Sequence, residues 1–520
     1  MWLHAEVKSL ADIPRYYGRT APERTALISA DQRRTFRELD RASNRVAAAI
    51  LRTRIARNSH IAFLGKNSIE YFELLFGANK AACAMLPLNW RLTSRELAAV
   101  VEDSQTPLVF VDREFAQLLE QVRARTGAGF RSIVFDSTSR ERSPFHEWVG
   151  DVPESDPSLP IEPMDTALLM YTSGTTGKPK GVELTHGGLG HMRLCEHLEP
   201  AYDWRPNDVM MLIMPIFHLV GTGLSIQGLY NGVPVTILPA LDVPRVLETI
   251  ARDRPTICCL VPTAIQMLID HPAAASTDFS SLRLVMYAGS AITAKLLKRA
   301  LTEMKCDFMQ FYGATESGGA LTLLRPEQQR IDDEVRLKSC GTPLPLIDVR
   351  IVGTDGRDVP EGSVGEFLVR APCLFKGYWR QPEVTAAALV DGWYRTGDAG
   401  YRAPDGLLYI VDRTKDMIIS GGENIYSSEV EQALIRHPAV GQVAVVGVPD
   451  ERWGEKVVAV VVLANGKTAS EADLIAHCRT LIAGYKVPKA ITFSDNLPMT
   501  PSGKVLKTAI RARLGGETAA

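Results

Sequence analysis

The stretch Tyr171 to Gly181 reads YTSGTTGKPKG. Thr172, Ser173, Thr175 and Thr176 bring hydroxyls, Gly174 and Gly177 expose backbone N–H groups, and Lys178 and Lys180 bring positive charge. That is the chemistry of a polyphosphate cradle. The spacing is not GxxxxGK followed by Ser or Thr, since Pro179 follows Lys178. Alone, the stretch is equally well read as a flexible surface loop. Three further segments carry groups that suit the same chemistry. FYGATESGG (Phe311 to Gly319) pairs a tight turn with Thr315 and Glu316, and a carboxylate beside polyphosphate commonly holds Mg²⁺. GWYRTGDAG places Asp398 where it could accept both hydroxyls of a ribose. LPMTPSGKVLK sets Lys504 in a turn from which an ammonium could reach a developing negative charge. Any one of these residues, taken singly, is more often a solvated charge. His218, in MPIFHLVGTG, is by itself better read as a histidine partly buried beside a strand end.

These groups need elements to hold them. RELDRASNRVAAAILRTR has helical apolar spacing, HIAFLG is a short strand, SIEYFELLFGANKAACA a helix and PLVFVD another strand. TALLMY leads into the glycine-rich stretch as a strand. VPVTILP, TICCLVP and LRLVMYAG are strands separated by the helices PRVLETIARDR and AKLLKRALTEM. Strands alternating with helices imply an α/β fold of parallel sheets covered on both faces. After about Tyr409 the pattern changes to a compact α+β unit: helix SSEVEQALIRH, strands VGQVAVVGV and KVVAVVVLA, helix EADLIAHCRTLIAG and strand AITFSD. DRTKDMIISGGENIYSSEVE reads as a turn-rich connection. The expected division is a large domain over 1–411, a hinge at 412–415 and a small mobile domain over 416–520.

Composition excludes several classes. With 520 residues, 46% hydrophobic and 23% charged, the chain can bury large cores without staples. A net charge of −2 gives no reason to expect nucleic acid or an acidic membrane surface as partner. The eight cysteines form no CxxC pair and read as reduced, mostly buried thiols. The N-terminus lacks the apolar core of a signal peptide, and no apolar run is long enough for a transmembrane segment. A cytoplasmic location is therefore expected, with a homodimer as the default oligomer.

The motifs YTSGTTGKPKG, YGATE, YRTGD, DRTKDMIISGGENIY and PSGK, in this order, closely resemble the ANL superfamily of adenylate-forming enzymes. KDMIISGGENIY and PKAITFSDNLPMTPSGKVLK are most similar to its fatty-acyl- and aryl-CoA ligases. The resemblance covers nearly the whole chain. It departs at Ser427, where relatives commonly carry proline, and at Phe311, where many carry glycine; the first is expected to loosen its loop and the second to narrow the adenine side. The resemblance implies an acid–CoA ligase using ATP, Mg²⁺ and coenzyme A. A carboxylate attacks the α-phosphate of ATP, pyrophosphate leaves, and the thiol of CoA then displaces AMP.

Carried over residue by residue, the resemblance puts Thr172, Ser173, Gly174, Thr175, Thr176, Gly177 and Lys180 on the β- and γ-phosphates. Thr315 and Glu316 fall near the α-phosphate and the metal. Gly289, Ser290 and Ala291, with Gln310, Phe311, Tyr312, Gly313 and Ala314, sandwich adenine. Asp398 and Arg413 take the ribose, and Lys504 bridges the carboxylate and the α-phosphate. Lys415 is the hinge; Gly421, Gly422 and Lys486 serve CoA, and Asn424 touches the adenylate. His218 gates the acid pocket, lined by Val220, Gly221, Gly223, Gly289, Gly313, Gly318 and Gly319. These are small or apolar, and no lysine or arginine is among them, which favours a medium- or long-chain fatty acid or an aryl acid over a dicarboxylate. Two other readings keep the fold: an adenylating enzyme that loads a carrier protein, and a non-catalytic homologue acting as a binding protein. Intact Glu316, Asp398, Arg413 and Lys504 speak against the second.

Overall fold

The computed structural model describes residues 4–30, 32–127, 129–137, 144–172, 179–289, 292–420, 423–450, 452–499 and 505–514. The chain is a mixed α/β protein that divides into two compact units. One comprises 1–349 with 369–394; the other comprises 350–368 with 395–520.

The first unit holds two large mixed sheets. One runs from Gln32–Thr35 at its edge through Thr25–Ser29, Val235–Ile237, Met210–Leu212, Ile257–Leu260, Leu284–Tyr287, Asp307–Ala314 and Gly319–Leu324 to Thr342–Pro343. Its centre is parallel, as the alternating pattern predicts. The other runs from Arg131–Phe135 through Leu108–Asp112, His60–Leu64, Ala84–Leu88, Thr166–Thr172 and Lys180–Thr185 to Gly377–Tyr378. The parallel strands are buried along their length, which is why HIAFL and LVFVD read as continuous apolar runs. The helices pack by their apolar stripes. Phe36–Arg52 is closed at its start by Thr35 and Glu38 in a reciprocal capping box and buries Phe36, Leu39, Val46 and Ile50.

Both parallel runs end in an antiparallel hairpin that the sequence reading did not show. Thr166–Thr172 pairs with Lys180–Thr185, ending at Thr172 opposite Lys180. Asp307–Ala314 pairs with Gly319–Leu324, with Ala314 opposite Gly319. The ends Thr172 and Lys180 and the turn Thr315–Ser317 therefore lie beyond the carboxyl ends of parallel strands, the usual place for ligands in such sheets.

In the second unit Val440–Asp450 and Gly454–Leu463 form a long antiparallel pair, with Ala490–Phe493 parallel beside the latter. Side chains alternate between two cores: Val445, Val457 and Val461 face one, and Val446, Val458 and Val460 the other. The segment expected to be turn-rich contains two short strands instead, Ile418–Ser420 and Glu423–Ile425, paired Ile418 to Ile425. Ser427 does not loosen its loop. It is fully buried and donates to Asp412 Oδ2 at 2.7 Å, while Lys507 Nζ donates to it at 2.6 Å. Proline could make neither bond. All eight cysteines are buried and free. Among the described residues no helix is long and apolar enough to cross a membrane.

Candidate active site

In the first unit the site is built around the turn Thr315–Ser317. Ser317 ties this turn: Ala314 N–H donates to its Oγ at 3.0 Å, and the hydroxyl lies 2.7 Å from the carbonyls of Ala314 and Gly319. Gly318 closes the turn at φ +68°, where a Cβ would stand 2.9 Å from Cys373 O. Gly313 cannot carry a side chain, because a Cβ there would lie 2.2 Å from Gly319 O. The turn leaves the Glu316 side chain partly exposed, and Tyr378 Oη donates to Glu316 Oε1 at 2.9 Å. Lys180 Nζ, at the returning end of the glycine-rich hairpin, lies 4.9 Å from the centroid of the same tyrosine ring. Lys180 and Glu316 are thus brought to one side chain.

Gln310 pairs with Tyr287 across the sheet, one residue before Ala288 and Gly289. It is buried, and its Oε1 has no hydrogen-bond partner among the described residues. Phe311 is buried in the large core, and Tyr312 packs partly buried against the same cluster.

His218 caps the helix Leu219–Tyr230 at a pinned bend. Asn67 Oδ1 accepts from Ile216 N–H at 3.0 Å, and Thr222 Oγ1 donates to Ile216 O at 2.6 Å. The imidazole lies against Phe217, centroids 4.6 Å apart. Gly221 allows the helix to meet the bend: a Cβ would stand 2.3 Å from Pro215 O. Next to Gly223 lies a group the sequence did not reveal. Arg193 Nη1 donates to Gly223 O at 3.1 Å and its Nη2 pairs with Glu196 Oε1 at 2.9 Å, both side chains almost wholly buried. Burial pushes the Glu196 carboxyl up to about 7, against the pull of Arg193. No motif marks either residue.

In the second unit Asp398 and Arg413 are cross-strand partners. Arg413 Nε meets Asp398 Oδ1 at 2.8 Å, with Asp398 buried and Arg413 half exposed. Thr396 Oγ1 donates to Phe367 O and accepts Asp398 N–H at 3.0 Å, which fixes the carboxylate's backbone. Lys415 lies in the turn Thr414–Asp416. Asn424 stands opposite Ile419 in the short strand pair. Lys486 Nζ is paired with Glu429 at 2.7 and 2.8 Å. Ser173, Gly174, Thr175, Thr176, Gly177, Lys178, Ser290, Ala291, Gly421, Gly422 and Lys504 lie outside the described residues.

Residues 15–379 match the family description "AMP-binding enzyme", and residues 429–504 match its C-terminal domain. The chain belongs to the AMP-binding enzyme family. It is an acid–thiol ligase, similar to relatives named as CoA ligases and as an acyl-carrier-protein ligase. It is 36% identical to the fatty acid–[acyl-carrier-protein] ligase ScoC of Streptomyces coeruleorubidus, over 99% of this chain and 98% of that one. It is 37% identical to the feruloyl-CoA synthase of an Amycolatopsis species, over 98% and 99%. Among solved structures of the family it is similar to o-succinylbenzoate coenzyme A synthetase (MenE) from Bacillus subtilis in complex with ATP and magnesium ion. There the TM-score is 0.84 and the identity 29%, covering 96% of this chain and 98% of that one.

Proposed function

We propose that this enzyme activates a carboxylic acid as an acyl-adenylate and passes the acyl group to coenzyme A. The observation that carries the reading is the meeting of Lys180 and Glu316 at Tyr378, with the ammonium 4.9 Å from its ring centroid and a carboxylate oxygen 2.9 Å from its hydroxyl. In the first step a carboxylate oxygen attacks the α-phosphorus, the bond to the bridging oxygen breaks, and pyrophosphate leaves. An anion meets a polyanion, so the protein's work is charge neutralisation. Lys180 and the glycine-rich tip hold the β- and γ-phosphates. Glu316 would hold Mg²⁺, whose bound charge offsets that of the phosphate oxygens. Among the described residues no three His, Cys, Asp or Glu side chains gather as a metal cage. A lone carboxylate suits Mg²⁺ shared with substrate phosphates. Asp398 and Arg413 bind the ribose hydroxyls, Gln310 and Gly289 flank adenine, and Lys504 bridges the acid and the α-phosphate.

In the second step the sulfur of CoA attacks the acyl carbonyl and AMP leaves. Residues 420–426 with Lys486 serve that step, after the part of the chain beyond Lys415 has rotated. The acid is a monocarboxylate with an apolar tail, fatty or aryl. The arginine beside Gly223 does not change this, because its guanidinium is already engaged by Glu196 and by the Gly223 carbonyl. A second reading, loading of a carrier protein, is favoured by the similarity to ScoC. A panel of fatty, aryl and dicarboxylic acids, each assayed for pyrophosphate release with and without CoA, tests all of this. The expected result is release with octanoate or cinnamate, and AMP and thioester formed when CoA is added. Pyrophosphate without AMP on adding CoA would select the carrier-protein reading. Malonate or succinate outperforming the monocarboxylates would overturn the pocket assignment.

A further inference from the structure

Tyr378 belongs to none of the motifs that mark the site, yet residues of two of them, Lys180 and Glu316, converge on it. Its strand Gly377–Tyr378 pairs with Lys180–Thr185, placing Tyr378 opposite Val182. Its N–H donates to Thr385 Oγ1 at 2.9 Å. The next residue, Trp379, donates from its backbone to Gly181 O at 2.7 Å and from its indole to Asp103 O at 3.0 Å. On the other side Phe375 N–H donates to Glu316 O at 2.8 Å, and the Phe375 ring packs edge-on against Tyr378 at 4.9 Å. The segment 375–379 is therefore fastened both to the strand that leaves the glycine-rich tip and to the turn that carries Glu316.

We propose that Tyr378 is a positioning residue for nucleotide activation, holding the Glu316 carboxylate with its hydroxyl and the Lys180 ammonium with its ring face, so that the two unlike charges stay apart and each meets MgATP. This rests on the reading of Glu316 as the metal-side carboxylate. The geometry has a chemical logic. An ammonium and a carboxylate that paired with each other would both be withdrawn from the nucleotide. Among the described residues neither Lys180 nor Glu316 has an ion-pair partner, and each meets the tyrosine instead. The hydroxyl at the ring's edge gives the carboxylate a donor at Oε1, and the π-face attracts the ammonium without consuming a hydrogen-bonding group.

The test is ATP binding to the full-length enzyme across a Mg²⁺ series, which needs no knowledge of the acid. The variants are Tyr378→Phe, Tyr378→Leu, Glu316→Gln and the double variant Tyr378→Phe/Glu316→Gln. Tyr378→Phe keeps the ring and its packing, and its melting temperature reports whether the fold is kept. It should raise the Mg²⁺ needed for half-maximal ATP binding by about tenfold, the scale of a hydrogen bond to a charged group. ATP affinity at saturating Mg²⁺ should hardly change. Tyr378→Leu should also weaken ATP at saturating Mg²⁺, because Lys180 loses its ring. The double variant should be no worse than Glu316→Gln alone, since the hydroxyl acts through that carboxylate. A merely structural tyrosine would give additive losses and an unchanged Mg²⁺ requirement, and either outcome overturns the proposal. If Glu316→Gln leaves the Mg²⁺ requirement untouched, the reading of Glu316 fails and the proposal falls with it. If Glu316→Gln raises it and Tyr378→Phe does not, only the proposal falls.

Discussion

Glu316 and Asp398 are both carboxylates, but their surroundings assign them different work. Glu316 is partly exposed on a turn, with one oxygen held by a tyrosine hydroxyl. Asp398 is buried in a strand, ion-paired to Arg413 across the ladder. The first can accept a cation; the second, with its guanidinium, offers an acceptor and donors suited to vicinal hydroxyls. Glu316→Gln should lower the rate of adenylate formation by about 10²-fold and raise the Mg²⁺ requirement. Asp398→Asn should weaken ATP and AMP by roughly tenfold and leave the Mg²⁺ requirement alone. Single-turnover rates and AMP affinities separate the two. Equal AMP affinity in wild type and Asp398→Asn would contradict the ribose role.

At the scale of elements, the strand Lys180–Thr185 passes directly into the helix His186–His197, whose first residue is a buried histidine. Leu10 N–H donates to His186 Nδ1 at 3.1 Å, which requires a neutral ring. Burial lowers its pKa from 6.5 to about 4, against weaker opposing pulls from Asp165 and Asp12. The unfolded chain therefore binds a proton between these values that the folded chain does not. The stability this contributes is full above pH 6.5 and is lost as pH falls toward 4, on the order of 3 kcal/mol across the window. His186→Asn keeps an acceptor and cannot titrate. Its unfolding free energy should therefore fall less steeply between pH 6.5 and 4, and an unchanged slope would show that His186 is not the group responsible. Most of these elements are legible in the sequence. The parallel strands announce themselves as apolar runs, and helices such as Val243–Asp253 by their spacing and their capping Asp242. The motif residues are legible for the same reason, since glycines, hydroxyls and charges are conspicuous in a loop. The second strands of the two hairpins were not, because Lys180–Thr185 and Gly319–Leu324 emerge straight from glycine-rich tips. Tyr378 and Arg193 were invisible because their roles are tertiary: each acts on residues brought near only by the fold, and no local pattern encodes that.

For the whole molecule the account requires one chain to perform two steps that cannot share one arrangement, since Lys504 and the thiol would need the same space. The turn Thr414–Asp416 is where we place the change of backbone angles. Within its unit this turn is braced by Arg511, which pairs with Asp416 at 2.9 Å and donates to the carbonyl of Lys415. The brace does not use the Lys415 ammonium. Lys415→Ala should therefore leave both half-reactions nearly intact. Lys415→Pro fixes φ near −65°. It should spare adenylation and slow thioester formation from purified adenylate by orders of magnitude. Wild-type rates in both halves for the proline variant would place the hinge elsewhere. Everything above depends on the acid attacking the α-phosphorus. The most direct measurement is isotope transfer, using the best acid from the panel labelled with ¹⁸O in its carboxylate and mass analysis of the products after turnover with ATP and CoA. The account predicts one labelled oxygen in AMP and none in pyrophosphate. Unlabelled AMP, or label appearing in inorganic phosphate alongside ADP, would contradict it.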